Sequence, residues 1–320
     1  DAREGQEILT PMQHVWHAIK HMPRLWDGLI VLLGCVLGAG VIALAYPLNI
    51  ASGVLLAGLV YCCFVEPWII VVKKLNVGMK TEKQVSIAFI SDFHVGPYKG
   101  RNFMRRIVKK TNALKPDVVL LGGDFLYNYA SDPNLLDPLK ELYAPLGIFG
   151  VMGNHDSGRD VLKGRVTLTK DRTQDVEKVL NGCNVTVLHN GWKDIGPIIL
   201  AGTDDFWMES YDLGKTLGGI PDGKPVVLLT HNPDAIMDER VHRADLILSG
   251  HTHGGQARLP IIGSVPPIPN ALGRKYDRGT FALPKETTLI VSHGVGESMA
   301  RPRFMTAPEI LRIGIEPSQV

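Results

Sequence analysis

The stretch Gly250-His251-Thr252-His253-Gly254-Gly255 directs the interpretation of this chain. Its two histidines, one residue apart, follow the apolar run Leu246-Ile247-Leu248, which is typical of a strand buried on both faces. Flanking glycines allow positive φ angles and a close approach of the backbone to a ligand. In an α/β protein, the carboxyl end of a strand is a usual location for chemistry. The pattern predicts that both histidines reach metal ions, and a solvated glycine-rich turn is the alternative.

Four further polar blocks each follow an apolar run upstream of this turn. They are Asp92-Phe93-His94, Gly123-Asp124, Gly153-Asn154-His155-Asp156 and Thr230-His231. Because the carboxyl ends of parallel strands meet at one edge of a sheet, we expect these side chains to converge. Nitrogen and oxygen ligands without a thiolate favour Mn²⁺, Fe²⁺ or Zn²⁺. A shared aspartate can hold two such ions about 3.5–4 Å apart, the spacing of two-metal hydrolases.

The ordered blocks D-x-H, G-D, G-N-H, H and G-H-x-H resemble those of the calcineurin-like metallophosphoesterases over residues 85–315. The resemblance implies a four-layer α-β-β-α sandwich and two divalent metal ions, Mn²⁺ first and Fe²⁺ or Zn²⁺ as alternatives. The ligands of one ion would be Asp92, His94, Asp124 and His253. The ligands of the other would be Asp124, Asn154, His231 and His251, with Asp124 bridging.

The same resemblance implies that His155 is a catalytic residue beside the scissile phosphate, with Asp156 fixing its tautomer and raising its basicity. By charge and loop position, Arg274, Lys275 and Arg303 are candidate phosphate contacts. A scaffold protein that keeps the fold but not the metals would be expected to have lost ligands. None is lost here, so the sequence favours a hydrolase.

The formal net charge of +2 over 320 residues is too balanced to indicate nucleic acid as a partner. Four cysteines without an even spacing form no disulfide framework, which favours a reducing compartment. Alternating apolar runs and amphipathic stretches from Val85 onward predict an α/β domain. The predicted elements are strands at 85–90, 118–121 and 148–152, helices at 101–114 and 135–142, and later short strands. Residues 158–171 and 263–279 are expected to be loops that shape a substrate entrance.

Residues 28–65 contain no charged side chain. As one helix they would be about 57 Å long, near twice the ~30 Å hydrocarbon thickness of a bilayer, so the segment is expected to fold back at Pro47. Because Glu66-Pro67 interrupts the second half, one or two spans are possible. The predicted organisation is an amphipathic interfacial helix at 1–26, a membrane-inserted segment at 27–72, a linker at 73–84 and the metallophosphoesterase domain at 85–320. Cations flank both ends, so the positive-inside rule places the domain in the cytoplasm.

A catalytic domain tied closely to a membrane favours an amphipathic nucleotide-lipid substrate. The chain resembles the membrane-anchored subgroup of this family in the segments Gly254-Gly255-Gln256, Gly273-Arg274-Lys275-Tyr276 and Gly294-Val295-Gly296. Among enzymes with this layout, it resembles the membrane-attached UDP-2,3-diacylglucosamine pyrophosphatases of lipid A synthesis. It departs from that subgroup at His293, where arginine is usual. The resemblance implies cleavage of the pyrophosphate to lipid X and UMP at the inner face of the bacterial cytoplasmic membrane. A phosphodiesterase of broader specificity is the alternative.

Overall fold

The computed structural model describes residues 22–162 and 165–317. Most of the predicted amphipathic helix at 1–26 therefore lies outside the described residues. Helix α1 is Pro23–Ala43, and α2 is Leu48–Val60, which continues through the wide turn Tyr61–Val65 and the 3₁₀ turn Glu66–Trp68. The predicted break at Pro47 is confirmed, since this residue precedes α2.

Helices α1 and α2 pack against each other as an antiparallel pair. A β-carbon added at Gly40 would lie 2.6 Å from Ser52 Oγ, and one added at Gly34 would lie 4.0 Å from Leu56. Every residue of α1 is at least partly exposed. The apolar stretches Pro23–Ala43 and Leu48–Trp68, 21 residues each, are long and apolar enough to cross a membrane. We call this pair the helical hairpin.

The remaining described residues form sixteen strands and three further α-helices. The strands are β1 (Val71–Met79), β2 (Val85–Ile90), β3 (Val118–Leu121), β4 (Ile148–Gly150), β5 (Arg159–Leu162), β6 (Arg165–Leu168), β7 (Val185–Val187), β8 (Gly191–Asp194), β9 (Ile199–Gly202), β10 (Val226–Leu229), β11 (Leu246–Ser249), β12 (Arg258–Leu259), β13 (Gly263–Ser264), β14 (Gly279–Ala282), β15 (Thr288–Val291) and β16 (Glu309–Pro317). The helices are α3 (Arg101–Ala113), α4 (Thr173–Gly182) and α5 (Leu213–Leu217), with 3₁₀ helices at Pro133–Glu141, Pro233–Met237, Glu239–Arg243, His253–Gly255, Gly273–Tyr276 and Pro284–Glu286.

Two six-stranded sheets carry the fold. The first has the order β1-β16-β2-β3-β4-β7, and the second has the order β14-β15-β11-β10-β9-β8. Strands β2, β3, β4 and β7 run parallel, as do β9, β10, β11 and β15. Each sheet therefore presents several carboxyl ends at one edge.

Three apolar layers separate four layers of secondary structure. Side chains alternate along each strand, so that in β2 Ile87 and Phe89 lie between the sheets while Ala88 and Ile90 face α3. The second sheet repeats the pattern, with Leu228 facing α5. The four-layer α-β-β-α sandwich that the sequence predicted is therefore confirmed, and strands buried on both faces explain its continuous apolar runs.

Two predicted loops and the predicted linker contain regular structure. Residues 73–79 belong to β1, which pairs in parallel with β16 from Val71↔Glu309 to Met79↔Pro317, so the prediction of a linker from residue 73 is wrong up to Met79. The pairing could not be seen locally because its partner lies over 230 residues away. Within the predicted loop 158–171, β5 and β6 form an antiparallel hairpin. Within the predicted loop 263–279, Gly273–Tyr276 forms a 3₁₀ helix.

Candidate metal centre

The predicted metal ligands converge at the carboxyl edge of the sandwich. Those after β2, β3 and β4 come from the first sheet, and those after β10 and β11 come from the second. Three groups of side chains have ligand atoms within 4.8 Å of one another, namely Asp92, His94 and His253; His94, Asp124 and His155; and Asp124, His231 and His251. The topology therefore assembles the set that sequence order alone suggested.

Asp124 lies at the centre of this arrangement. Its Oδ2 is 3.4 Å from His94 Nε2 and 3.3 Å from His231 Nε2, one histidine from each predicted metal position. Its Oδ1 accepts a hydrogen bond of 2.9 Å from the backbone N–H of His155. The carboxylate is thus held in place through one oxygen, while the other faces both halves of the site.

The first half of the site contains Asp92, His94 and His253. His94 Nε2 and His253 Nε2 are 3.0 Å apart, and His253 Nε2 is 3.6 Å from Asp92 Oδ1. Among the residues that the structure describes, no hydrogen-bond partner reaches Asp92 Oδ2, although the atom is buried. Buried carboxylate oxygens normally have partners, so this orphaned oxygen fits a cation.

The second half contains His231, His251 and Asn154. His231 Nδ1 donates to Gly122 O at 2.7 Å, which directs Nε2 toward Asp124 and His251. Asn154 Nδ2 donates to Arg159 O at 2.9 Å, and within the described part of the chain its buried Oδ1 has no donor. An amide oriented by one hydrogen bond, with its oxygen left over, suits a metal ligand.

The electrostatics of the site also fit bound cations. Burial opposes ionisation of Asp124, yet His231 and His155 outweigh it and hold the pKa of this carboxyl well below its usual range. Burial likewise opposes protonation of His231, but the neighbouring Asp124 carboxylate raises its pKa to about 10. The pocket therefore favours positive charge beside Asp124, which a divalent ion would provide.

Backbone strain is concentrated at these ligands. Five of the seven predicted ligands have left-handed φ angles, namely Asp92 (53°), His94 (43°), Asp124 (52°), His251 (71°) and His253 (52°). For residues other than glycine this conformation costs about 1–3 kcal/mol each and persists mainly at functional sites. The surrounding packing therefore holds the side chains in positions that the chain would not adopt by itself.

Glycines close the space around Asp92. A β-carbon at Gly250 would lie 2.3 Å from Asp92 Oδ2, and one at Gly294 would lie 2.5 Å from Asp92 Cβ. These positions exclude any larger residue because real Cβ atoms do not approach so closely. Close contact with Asp92, a predicted ligand, thus explains the glycines at positions 250 and 294.

Replacing Gly250 by alanine is expected to displace the Asp92 carboxylate and lower metal content to about one ion per chain or less. Metal analysis of the purified variant measures this. The control is Gly182→Ala, where a β-carbon meets nothing within 4 Å. Full metal content in Gly250→Ala would contradict the role of Asp92 as a ligand.

The geometry around His155 corrects one prediction. His155 Nδ1 lies 2.7 Å from Tyr127 O, and since a carbonyl only accepts, this nitrogen carries the proton. Asp156 Oδ1 accepts from the backbone N–H groups of Phe125 and Leu126, and its Oδ2 accepts from that of Gly153. The carboxylate therefore braces the loops after β3 and β4, while the Tyr127 carbonyl fixes the tautomer that Asp156 was expected to fix.

Arg303 was also expected to contact phosphate, and this prediction is wrong. Its side chain is completely buried and donates to the carbonyls of His293, Gly296 and Thr306. Arg274 and Lys275, in contrast, are at least partly exposed on the loop after β13. They stay candidate phosphate contacts.

Sequence reasoning missed two groups beside His251. The Trp207 ring lies edge-on to the His251 ring at 4.6 Å, and Pro269 O accepts from His251 Nε2 at 2.8 Å. Trp207 follows β9, which ends at the same edge as the ligands, and Pro269 lies in the predicted entrance loop 263–279. The available signal in the sequence was that each residue lies in a loop after a strand. Neither tryptophan nor proline indicates metal chemistry, so the signal was not used.

The base of the helical hairpin touches the loops that carry the site. Arg301, after β15, forms hydrogen bonds of 3.0 and 3.1 Å with Asp27 at the start of α1. Arg303 N donates to Cys62 O at 2.8 Å, and Thr306 N donates to Glu66 Oε1 at 2.7 Å. The same loop reaches the metal centre, where Gly296 N donates to Asp92 O at 2.6 Å. The hairpin and the metal centre thus share one edge of the sandwich.

Comparisons with known proteins agree with this geometry. The calcineurin-like phosphoesterase family model matches residues 85–255. A Caenorhabditis elegans protein named as a metallophosphoesterase is 35% identical over 250 residues, which are 70% of this chain and 48% of that protein. An uncharacterized metallophosphoesterase of Bacillus subtilis is 30% identical over 70% of this chain and 76% of its own length.

A third relative, the UDP-2,3-diacylglucosamine pyrophosphatase of Chlamydia muridarum, is 28% identical over 70% of this chain and 81% of that protein. The chain spans about half the length of the Caenorhabditis elegans relative. The family match covers more than half of the chain and includes all seven predicted ligands. The chain therefore belongs to the calcineurin-like phosphoesterase family, whose members are metal-dependent phosphoester hydrolases.

Proposed function

We propose that this chain is a di-metal phosphohydrolase that works at the surface of a membrane on a lipid-linked phosphate. The observation that carries the proposal is the position of Asp124 Oδ2, nearly equidistant from His94 Nε2 and His231 Nε2. A carboxylate oxygen between two sets of nitrogen and oxygen ligands suits a bridging role in a dinuclear site.

The residues present fit two metal ions. The proposed ligands of the first ion are Asp92, His94, Asp124 and His253, and those of the second are Asp124, Asn154, His231 and His251. Orphaned, buried oxygens on Asp92 and Asn154 support this assignment. Two bound divalent ions supply Lewis acidity for phosphoryl transfer and make a water molecule acidic enough to react near neutral pH. The nitrogen and oxygen ligands accommodate Mn²⁺, Fe²⁺ or Zn²⁺, of which Mn²⁺ is the metal that we propose.

His155 is the proposed general acid. Its Nδ1–H is directed at Tyr127 O, so the ring is oriented and Nε2 is the nitrogen that exchanges a proton with the substrate. Its ring centroid is 4.6 Å from that of His94, with the planes at 90°, which keeps it at the edge of the metal centre. From there, protonated His155 would deliver its Nε2 proton to the oxygen that leaves phosphorus.

The helical hairpin supports a substrate that resides in a bilayer. The exposed apolar stretches Pro23–Ala43 and Leu48–Trp68 require cover, and a membrane supplies it. Their base binds the loop after β15 at Arg301 and Arg303, and this loop also binds Asp92. A site on this edge would stay within reach of headgroups, whereas a site on the opposite edge would not.

The substrate that we propose is UDP-2,3-diacylglucosamine, cleaved at its pyrophosphate to lipid X and UMP. The chlamydial relatives with this activity in their names support it, at 28% and 26% identity. Such a reaction would place the catalytic domain at the cytoplasmic face of the bacterial inner membrane, as the flanking cations suggest. Arg274 and Lys275 are the proposed ligands of the pyrophosphate.

The test is an assay of the full chain in lipid nanodiscs. The panel contains UDP-2,3-diacylglucosamine, a second nucleotide-linked lipid and bis(p-nitrophenyl) phosphate, each with and without a chelator. Chelator-sensitive release of UMP, preferred over the other two reactions, supports the proposal. Equal rates on all three would favour the broader phosphodiesterase, and no hydrolysis after metal loading would overturn the assignment.

Replacing His155 by alanine is expected to lower kcat by about 10²–10⁴ at unchanged metal content, the usual range for general acid-base catalysis. Steady-state kinetics and metal analysis of the same preparation measure both quantities. His242→Ala, a partly exposed histidine on a distant 3₁₀ helix, is the control. If activity fell only in proportion to the metal content, His155 would be a ligand and not the acid.

A further inference from the structure

Helix α3 presents a cationic face to the outside of the domain. Its apolar side chains Phe103, Met104, Ile107 and Val108 are buried against the first sheet. The opposite face of the helix is exposed and contains five cations and no acidic residue, although Asp137 from the neighbouring 3₁₀ helix pairs with Arg101 at 2.9 Å. We call this surface the basic face. It consists of Arg101, Arg105, Arg106, Lys109 and Lys110.

The basic face adjoins the end of the apolar segment of the hairpin. The Trp68 and Phe103 rings pack edge to face, with centroids 5.6 Å apart. Arg106 Nη2 donates to Trp68 O at 2.8 Å, and Lys110 Nζ donates to Ile70 O at 2.8 Å. Helix α3 is therefore fixed at the point where the chain leaves the proposed membrane segment.

A buried lysine makes this junction rigid. Lys99, just before α3, is 1% exposed, and its amine lies 3.2 Å from Glu297 Oε1 and 4.3 Å from the centre of the Trp68 ring. It also donates to Pro67 O. A cation held by a buried carboxylate, a carbonyl and an aromatic face leaves the hairpin end little freedom to move relative to α3.

Exposed apolar side chains occur in the same hairpin end whose Trp68 and Ile70 carbonyls bind Arg106 and Lys110. Phe64, Val65 and Ile69 are 52%, 44% and 42% exposed. An open groove of about 470 Å³ is lined by Trp68, Arg101 and Arg105. Apolar side chains, a tryptophan and cations side by side are the composition of a protein at the headgroup level of a bilayer.

We propose that the basic face binds the anionic headgroups of the bilayer that takes up the hairpin. Charge complementarity and its continuity with the hairpin end point to this partner. A nucleic acid would not account for the exposed Phe64, Val65 and Ile69 beside it. Binding along α3 would fix the tilt of the catalytic domain and hold the metal centre against the membrane. The inference rests on the proposed membrane placement and not on the identity of the substrate.

Lysine footprinting of the full wild-type chain tests this inference. The protein is placed in nanodiscs of phosphatidylcholine alone, or with 30% phosphatidylglycerol, and reacted briefly with an amine-acylating reagent before mass spectrometry. We expect Lys109 to react about threefold more slowly in the anionic discs. A surface potential of about −30 mV raises the local proton concentration by that factor and so depletes the reactive neutral amine. The exposed Lys215 and Lys285, on the side of the second sheet, are internal controls whose rates should not change.

High salt should abolish the protection, because it screens the surface potential. Equal Lys109 rates in both kinds of disc would overturn the proposal, as would equal slowing of the control lysines. The footprint needs no substrate, so it can fail while the pyrophosphatase assay succeeds, and the reverse also holds.

Paired variants give a second readout. We expect wild type to hydrolyse the lipid substrate faster in anionic discs than in neutral discs. The double variant Arg105→Gln with Lys109→Gln should lose most of this increase, while its kcat on bis(p-nitrophenyl) phosphate stays unchanged. Lys215→Gln with Lys285→Gln, on the side of the second sheet, is matched in charge and should behave as wild type. If both pairs responded alike, net charge and not the basic face would be responsible.

Discussion

Replacing Asp124 by alanine is expected to abolish hydrolysis and to remove both metal ions, not one. Its Oδ2 lies 3.4 Å from His94 Nε2 and 3.3 Å from His231 Nε2, so both proposed coordination spheres share it. Without this carboxylate, buried histidines would face each other with no anion between them, which disfavours any bound cation. Elemental analysis and phosphodiesterase assays of the same preparation measure the two losses.

Two further variants make this result specific. Asp92→Ala, which lacks a ligand of the first ion only, should retain about one ion per chain. Asp137→Ala, an exposed carboxylate paired with Arg101 at 2.9 Å, should retain both ions and full activity. An Asp124→Ala protein with two bound ions would exclude the bridging role.

The convergence of the candidate metal ligands was largely predictable because these residues combine local pattern with topology. An apolar run of four to six residues followed by Asp or His is visible in the sequence at β2, β3 and β11. Parallel pairing then brings those ends together without any knowledge of distances. The glycines at positions 250 and 294 lie where a β-carbon would collide with Asp92, so they allow the close backbone approach that glycines in the motif predicted.

The failures concern residues whose hydrogen-bond partners are backbone groups of folded turns. Arg303 has the charge of a phosphate ligand, but its guanidinium is taken up by three backbone carbonyls in a buried turn. Asp156 follows His155 directly, yet its carboxylate faces the amides of Phe125, Leu126 and Gly153. Charge and sequence proximity do not reveal which backbone groups need a partner after folding.

The junction between hairpin and sandwich was the largest feature that local patterns missed. Hydrophobicity marked residues 27–72 as one membrane segment, but the end of that segment belongs to the core of the domain. Cys63 and Ile70 are 0% and 4% exposed, and Glu66 is 3% exposed. Strand β1 then begins at Val71. The structural boundary therefore lies within the wide turn Tyr61–Val65, about 20 residues before residue 85, where the domain was predicted to begin.

This boundary leads to different expected results for two truncations. Removing residues 1–59 deletes most of the hairpin but keeps Cys63, Glu66 and the whole of β1. The deletion also removes the Asp27–Arg301 ion pair, which is partly exposed and worth about 0–1 kcal/mol. The protein should therefore bind two ions and hydrolyse bis(p-nitrophenyl) phosphate at a rate within about twofold of the full chain. Hydrolysis of a lipid substrate in nanodiscs should fall more than tenfold, because the truncated protein no longer gains binding energy from the remote part of the substrate.

Removing residues 1–72 should instead destabilise the whole domain. Loss of Glu66 leaves the buried Thr306 N–H unpaired, and loss of Pro67 removes an acceptor from buried Lys99, at about 1–3 kcal/mol each. Loss of the buried Ile70 side chain adds about 1.5–3 kcal/mol. Together these are a large share of a typical stability of 5–15 kcal/mol.

Thermal unfolding in one detergent, with metal analysis and both assays, compares the two truncations. If the shorter protein were as stable and active as the longer one, residues 60–72 would be only an anchor. If the protein that lacks residues 1–59 kept full activity on the lipid substrate, the hairpin would not position that substrate.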